Sequence, residues 1–318
     1  MVSCVCFIHV CVSPKGLEVL ENQINKMKKF GLYQKLKRIY IGVLGDYIQL
    51  MKHNIYLDND KLEVVYFSKD VTEMEFPTLI NLKKFCDTNQ ENHHILYIHT
   101  KGVRNPNNPF IDQWRNYMEY FLIERHEHCL KDLEKYDTAG VNHHVKPWNH
   151  YSGNFWWSNS NHIKKLVDPD SLSRKGLTYL QGGRWNAEKW LLTYFNKHNI
   201  NNVEIIKGEY GSGEKIKDVT NILTRMITDN RIYIKQGKCI QKFFSDPFPG
   251  KMKTLKISYK ISNSDKIYDI IKKERGSKLT GDLLIDGNSK VIKIKNYHES
   301  GIHHYHFAYP RDKYEIKD

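Results

Sequence analysis

Apolar residues fall in short runs separated by stretches of helical spacing through the first two hundred positions. "SCVCFIHVCV" (3–12) is almost continuously apolar, the pattern of a strand buried on both faces. Leu17, Leu20, Ile24 and Met27 then share one face of a predicted helix over 16–30. "KRIYIGVLGD" (37–46) and "LEVVYFS" (62–68) predict a second and a third strand. "PTLINLKKFCDTN" (77–89) predicts a helix with Pro77 in its first turn, and "HHILYIHTKG" (93–102) the next strand. Residues 110–135 predict one long helix. "DTAGVNHH" (137–144) predicts a strand and turn, "HYSGNFWWSNSNHIKKL" (150–166) a strand leading into a helix, and "RWNAEKWLLTYFNKH" (184–198) a last helix. This alternation predicts an α/β domain whose central sheet is mainly parallel and covered by helices. Ligands of such sheets bind at the C-terminal strand ends, which selects His9, Asp46 and His99.

The texture changes after about residue 203. A Gly-rich junction, "GEYGSGEKIKDVT" (208–220), leads to short strand-like runs: "RIYIKQ", "KTLKISYKI", "DLLIDG", "KVIKIKNY" and "HHYHFAY". These predict a small antiparallel β-sandwich. The expected domains are therefore 1–205 and 206–318.

Composition narrows the classes. A chain of 318 residues suits two domains. Its 49 Lys and Arg against 36 Asp and Glu give a net charge of +13. The lysines are spread along the chain, and the basic cluster with interleaved aromatics that nucleic acid requires is missing; nucleic acid is not an expected partner. Six cysteines contain no CxxC pair. Cys4 and Cys6 would share one face of a strand, which is poor disulfide geometry. Reduced thiols in a cytosol-like compartment are expected. The apolar N-terminus carries no basic flank and is too short to cross a bilayer, so no membrane span is expected.

Three constellations could carry chemistry. His99-Thr100-Lys101-Gly102 ends a central strand, with Arg104 just beyond. Lys101 could neutralise a diphosphate, His99 could donate to it or ligate a metal, and Gly102 would let the backbone approach closely. In "HYSGNFWW" (150–157), Ser152, Gly153 and Asn154 form a polar turn before Trp156 and Trp157. Adjacent strand residues face opposite ways, so one tryptophan can fill the core while the other lines a cleft and stacks on a sugar. In "GGRWNAEKW" (182–190), Glu188 has Trp185 three residues before it and Leu192 four after. Apolar neighbours would raise its pKa towards a general-base range. The histidine pairs 93–94, 143–144 and 303–304 lack metal-site spacing, and His126 and His128 diverge on a helix.

"ILYIHTKGV" (95–103), "WRNYMEYF" (114–121), "AGVN" (139–142), "HYSGNFWW" and "RWNAEKW" together resemble a family of GT-A-type glycosyltransferases of large DNA viruses and bacterial polysaccharide clusters. The likeness spans roughly residues 1–205. It implies a Rossmann-like nucleotide-sugar-binding domain that moves a sugar, with a UDP-sugar the favoured donor, to a hydroxyl of a glycan or glycoprotein. By that likeness His99, Lys101, Asn154, Trp156 and Glu188 surround the donor. The combined expectation puts His9, Asp46, His99, Lys101 and Arg104 on the nucleotide diphosphate. It puts Ser152, Gly153, Asn154, Trp156, Trp157 and Arg184 on sugar or acceptor, and makes Glu188 the base of an inverting transfer. One departure matters: many GT-A enzymes chelate a metal with Asp-x-Asp, and no such pair follows Tyr97. "DND" at Asp58 to Asp60 lies in a polar loop before a strand. Basic side chains replace the metal in some members, so no cofactor is expected; manganese or magnesium on His99 and Asp46 is the alternative. The likeness and the Lys/Asn-rich composition imply a giant-virus protein acting in the host cytoplasm or virus factory. Residues after 206 resemble a β-rich module found on unrelated proteins. Tyr297, His303, Tyr305 and Phe307 alternate there at strand spacing, which would suit a glycan. The competing reading is a non-catalytic carbohydrate-binding or assembly protein on the same fold.

Overall fold

The computed structural model describes residues 2–103, 108–144, 149–172, 185–192, 203–227, 231–261, 266–280, 283–286, 292–300 and 314. Arg104 and Arg184, and the candidate glycan residues His303, Tyr305 and Phe307, lie outside the described residues.

The chain forms two compact units, 1–194 with 292–318, and 195–291. In the first, β1 (Ser3–Cys11), α1 (Pro14–Lys29), α2 (Leu32–Lys35), β2 (Leu36–Leu44), α3 (Tyr47–Met51), α4 (Asn54–Leu57) and β3 (Leu62–Ser68) follow one another. Then come α5 (Phe76–Thr88), β4 (His93–His99), α6 (Pro109–Glu119), α7 (His126–Asp132), β5 (Thr138–Gly140), β6 (His143–His144), β7 (His150–Tyr151), β8 (Trp156–Asn159), α8 (Ser160–Lys164) and α9 (Trp185–Trp190). The second unit holds β9 (Val203–Ser212), β10 (Lys215–Asp218), α10 (Thr220–Arg225), β11 (Arg231–Ile234), α11 (Gln241–Phe244), β12 (Thr254–Ile261), β13 (Ile267–Arg275), β14 (Lys278–Leu279) and β15 (Leu283–Asp286). The last strand, β16 (Ile294–Asn296), returns to the first unit.

The first unit is built on a seven-stranded sheet in the order β16-β5-β8-β4-β1-β2-β3. Strands β1 to β4 are mutually parallel, and β8 runs antiparallel to both β4 and β5. The alternation of β1 explains the apolar run: Cys4, Cys6, Ile8 and Val10 face one core with α1 and α6, while Val5 and Phe7 face another with α5 and α8. Two covered faces require apolar residues at nearly every position. All six cysteines are thiols.

Helix α1 starts two residues earlier than its apolar spacing suggests, because Ser13 caps it by accepting from the Gly16 N–H at 3.0 Å. Helix α5 sits close on the sheet because β2 carries Gly42 beneath it. A Cβ there would lie 2.1 Å from Thr78 Oγ1. The single helix expected over 110–135 is interrupted. Between α6 and α7 the chain takes a π turn over Tyr120–Glu124, where the Arg125 N–H reaches the Tyr120 carbonyl at 3.0 Å. An i→i+5 bond inserts one residue and rotates the following helix face.

The second unit has a five-stranded antiparallel sheet, β10-β9-β12-β13-β14, and a two-stranded antiparallel ribbon, β11-β15. Both contribute to one core with α10 and α11. The single boundary expected near residue 206 therefore gives way to an insertion-like arrangement. "KVIKIKNY" pairs β16 in parallel with β5, Ile294 to Thr138 and Asn296 to Gly140, instead of joining the antiparallel unit. Strand β5 offers a buried edge whose N–H and C=O groups need partners, and Tyr297 and His298 pack on Phe121 of the π turn.

Candidate functional site

Chain order and spatial order part company at β1. The chain runs from β1 to β2 and β3 on one side, then crosses to β4 on the other. That switch point is where open parallel sheets leave a crevice at their C-terminal ends. His9 of β1 and His99 of β4 are the last registered pair there. The ladder continues one step through a side chain: Thr100 N–H donates to the His9 carbonyl at 2.9 Å, and the Thr100 hydroxyl accepts from the Cys11 N–H at 3.0 Å.

The site's central group is one the sequence did not announce, Glu75. It occupies the N-cap of α5 but makes no cap bond. Its carboxylate turns instead towards the strand ends. Tyr97 OH donates to Oε2 at 3.3 Å, and Asn154 Nδ2 donates to the same oxygen. Trp156 Nε1 donates to Asn154 Oδ1 at 2.9 Å, which fixes which end of the amide faces Glu75. Two backbone outliers aim these groups. Met74 has φ 57 just before Glu75, and Asn154 has φ 56 after Gly153 with φ 97. Asparagine adopts such an angle readily, whereas Met74, with φ 57 and ψ −142, holds it only because its surroundings impose it. At Gly153 a Cβ would also meet Met118 Sδ at 2.5 Å.

His99 is buried, and its Nε2 lies 3.0 Å from the Gly153 carbonyl and 3.8 Å from Glu75 Oε1. A carbonyl only accepts, so Nε2 carries the proton. Burial pushes the His99 pKa down to about 4; Lys101 adds to this and Glu75 opposes it. The ring is neutral at pH 7. Burial alone would raise Glu75, yet the positive charges around it and the Asn154 bond hold it below the usual carboxylate range. With His99 neutral, the nearby Lys101 ammonium and the Asn154 amide keep Glu75 ionised.

Lys101 is half-buried, with Nζ 4.2 Å from the Trp114 ring centroid, in a cation–π contact. Its backbone is held from below. Arg115 Nη1 donates to the Lys101 carbonyl at 2.7 Å and is itself paired with Asp112 at 2.8 Å. Gln23 Nε2 donates to the His99 carbonyl at 3.2 Å and to Glu119 at 3.0 Å.

The expected residues distribute unevenly. His9, His99, Lys101 and Asn154 converge on Glu75, and Gly153 holds His99 through its carbonyl. His9 also contacts Thr78 Oγ1 through Nδ1 at 2.9 Å. His99 was expected to donate to a diphosphate, but its N–H is engaged by Gly153. Asp46 was expected there too, and its carboxylate instead caps α3, accepting from Ile48 N–H and Gln49 Nε2 at 3.0 Å each. The close approach expected at Gly102 is used by α6: with φ 97, its missing Cβ leaves room for Ile111 Cγ2 at 2.7 Å. Neither tryptophan lines a cleft. Trp156 and Trp157 are 1 % and 0 % exposed and fill opposite cores, with Trp157 Nε1 donating to the Leu122 carbonyl at 2.8 Å. Ser152 N–H donates to the Asn142 carbonyl at 2.9 Å and helps close the turn. Glu188 is half-buried on α9, next to the buried Ala187 and Trp190. Among the described residues no group of three or more His, Cys, Asp or Glu side chains is arranged to hold a metal ion, and no helix is long and apolar enough to cross a membrane.

The family described as a domain of unknown function (DUF8361) matches residues 9–213, well over half of the chain. The chain belongs to that family. The DUF8361 match starts at His9 and includes all the residues gathered around Glu75. None of the curated proteins matches the chain. Among solved structures, 4-diphosphocytidyl-2C-methyl-D-erythritol synthase from Anaerococcus prevotii is 14% identical over 56% of this chain and 78% of that one, with a TM-score of 0.34. HddC from Yersinia pseudotuberculosis is 12% identical over 52% and 80%, with a TM-score of 0.31. At those scores the two likenesses carry no argument about the DUF8361 chemistry.

Proposed function

We propose that the DUF8361 unit is a glycosyltransferase that moves a sugar from a nucleotide-diphosphate sugar to a hydroxyl of a glycan or glycoprotein. The observation that carries the reading is the His9–His99 pair at the sheet's switch point, with ionised Glu75 and cationic Lys101 gathered over it. The crevice at such a point suits a nucleotide. Lys101 neutralises the diphosphate as it leaves, the task a chelated metal performs elsewhere. His99 holds the 152–154 turn, so its part is positioning. Glu188, taken from the resemblance, is the base that deprotonates the acceptor hydroxyl in an inverting transfer.

Donor hydrolysis and transfer with UDP- and GDP-sugars, in EDTA and with manganese, test this. Turnover is expected to survive EDTA. Lys101→Ala is expected to lower it about 100-fold, the scale of removing one charge-stabilising group. Glu188→Gln is expected to lower it by about 100-fold or more. Near-wild-type turnover in both variants contradicts the assigned roles. Thermal stabilisation by nucleotide-sugars without turnover would favour the carbohydrate-binding alternative.

A further inference from the structure

We propose that Glu75 is the sugar-recognising carboxylate of this site, its Oε1 accepting hydrogen bonds from hydroxyl groups of the transferred sugar. This rests on the glycosyltransferase reading and adds to it a residue and a ligand group. The two carboxylate oxygens stand in different surroundings. Oε2 takes two fixed donors, Tyr97 OH at 3.3 Å and Asn154 Nδ2, the latter oriented by Trp156 Nε1. Oε1 lies 3.8 Å from His99 Nε2, beyond hydrogen-bond reach, and that N–H serves the Gly153 carbonyl at 3.0 Å. A carboxylate offers about four acceptor positions, so Oε1 retains capacity, and the side chain is 21% exposed.

An ionised carboxylate accepts and cannot donate, so its ligand must bring donors. Ammonium and hydroxyl groups both qualify. With His99 neutral, the positive charge acting on Glu75 is that of Lys101. It disfavours a second cation and leaves neutral hydroxyls, in which sugars are dense. A merely structural Glu75 would be replaceable by glutamine, whose amide oxygen could still accept from Tyr97 and Asn154. Glu75→Gln therefore keeps the scaffold and replaces the open acceptor with a donor.

The test is isothermal titration of UDP, GDP, UDP-glucose, UDP-galactose, UDP-N-acetylglucosamine and GDP-mannose. The wild-type full chain is expected to bind at least one nucleotide-sugar about ten-fold more tightly than its parent nucleoside diphosphate, the worth of one charged hydrogen bond. Glu75→Gln is expected to remove that preference while leaving UDP or GDP affinity within about two-fold. Tyr97→Phe, which loosens Oε2, is expected to fall between the two. If Glu75→Gln does not fold, Tyr97→Phe decides on the same ratio. An unchanged preference in the variants, or a proportional loss for nucleotide and nucleotide-sugar, overturns the inference and leaves the transferase reading standing. Absence of all nucleotide binding in the wild type overturns both.

Discussion

Each unit buries a carboxylate among cations and tyrosines, and the two solve the problem differently. In the antiparallel unit, Glu274 and Lys253 are both 2% exposed in their side chains and lie 3.1 Å apart. Glu274 accepts from the Lys253 N–H at 3.1 Å and from Tyr210 OH; Lys253 Nζ also reaches Asp246 at 2.8 Å and the Lys251 carbonyl at 2.8 Å. Burial would pull Lys253 down, but hydrogen bonds to Asp246 and Glu274 outweigh it and raise its pKa. Every charge there is answered within the network. In the α/β unit, Glu75 has one oxygen answered and one facing a neutral imidazole at 3.8 Å. A closed network ties strands together, whereas an open one leaves capacity for a ligand. Burial and charge by themselves do not mark a site; the unfilled acceptor at the strand ends does.

That contrast can be broken most forcefully in the closed network. Glu274→Ala leaves Lys253 buried with one of its two carboxylates, and is expected to cost roughly 3–5 kcal/mol of unfolding free energy. Urea denaturation followed in the second unit measures it, with UDP affinity expected to stay put. A loss below about 1 kcal/mol would mean the network is as slack as the site.

The next effect is pH dependence in the first unit. His99 has a depressed folded pKa, so the unfolded chain takes up its proton first as pH falls from 6.5 towards about 4. Stability is therefore lost across that window, by about 2 kcal/mol at pH 5 from this one ring. His99→Gln removes the ring's titration, so its unfolding free energy should fall less between pH 7 and 5 than the wild type's. Glu75 adds a second loss at lower pH. Its folded pKa is lowered, so the stability it gives above the ordinary carboxylate pKa is lost as pH falls through the folded value. Identical pH profiles for the wild type and His99→Gln would contradict a buried neutral imidazole.

The smallest effect is on the hydroxyl that steadies Glu75. Tyr97→Phe keeps the ring stacked on Trp156 at 4.9 Å between centroids and removes one bond to Oε2. Its expected stability cost is about 1 kcal/mol, read as a small drop in Tm. A much larger cost would make the tyrosine a structural anchor, like Tyr210 in the closed network.

Much of the α/β unit was legible because strand and helix periods differ and β1, β2 and β4 carry dense apolar runs. The strand ends followed, and with them His9, His99 and Lys101. Glu75 was not legible. A lone glutamate before Phe-Pro looks like an ordinary helix start, and the turn at Met74 that aims it has no residue signature. The π turn was hidden because Tyr120–Glu124 has the composition of a regular helix. The opposed faces of Trp156 and Trp157 followed from strand alternation, but their joint burial depends on β8 lying between β4 and β5 with both faces covered. "KVIKIKNY" reads as a strand, and which sheet it joins is set by the distant edge of β5.

The most direct measurement is the ring resonances of the histidines, followed by nitrogen-15 NMR as UDP or GDP is added at neutral pH. A neutral Nε2-protonated signature is expected for His99, with large shifts for His9 and His99 on binding. Little change is expected at His162, which is buried against the Leu191 carbonyl at 2.7 Å. Saturating nucleotide that leaves His9 and His99 unmoved, or moves only resonances of the antiparallel unit, would contradict a nucleotide site at the β1–β4 switch point.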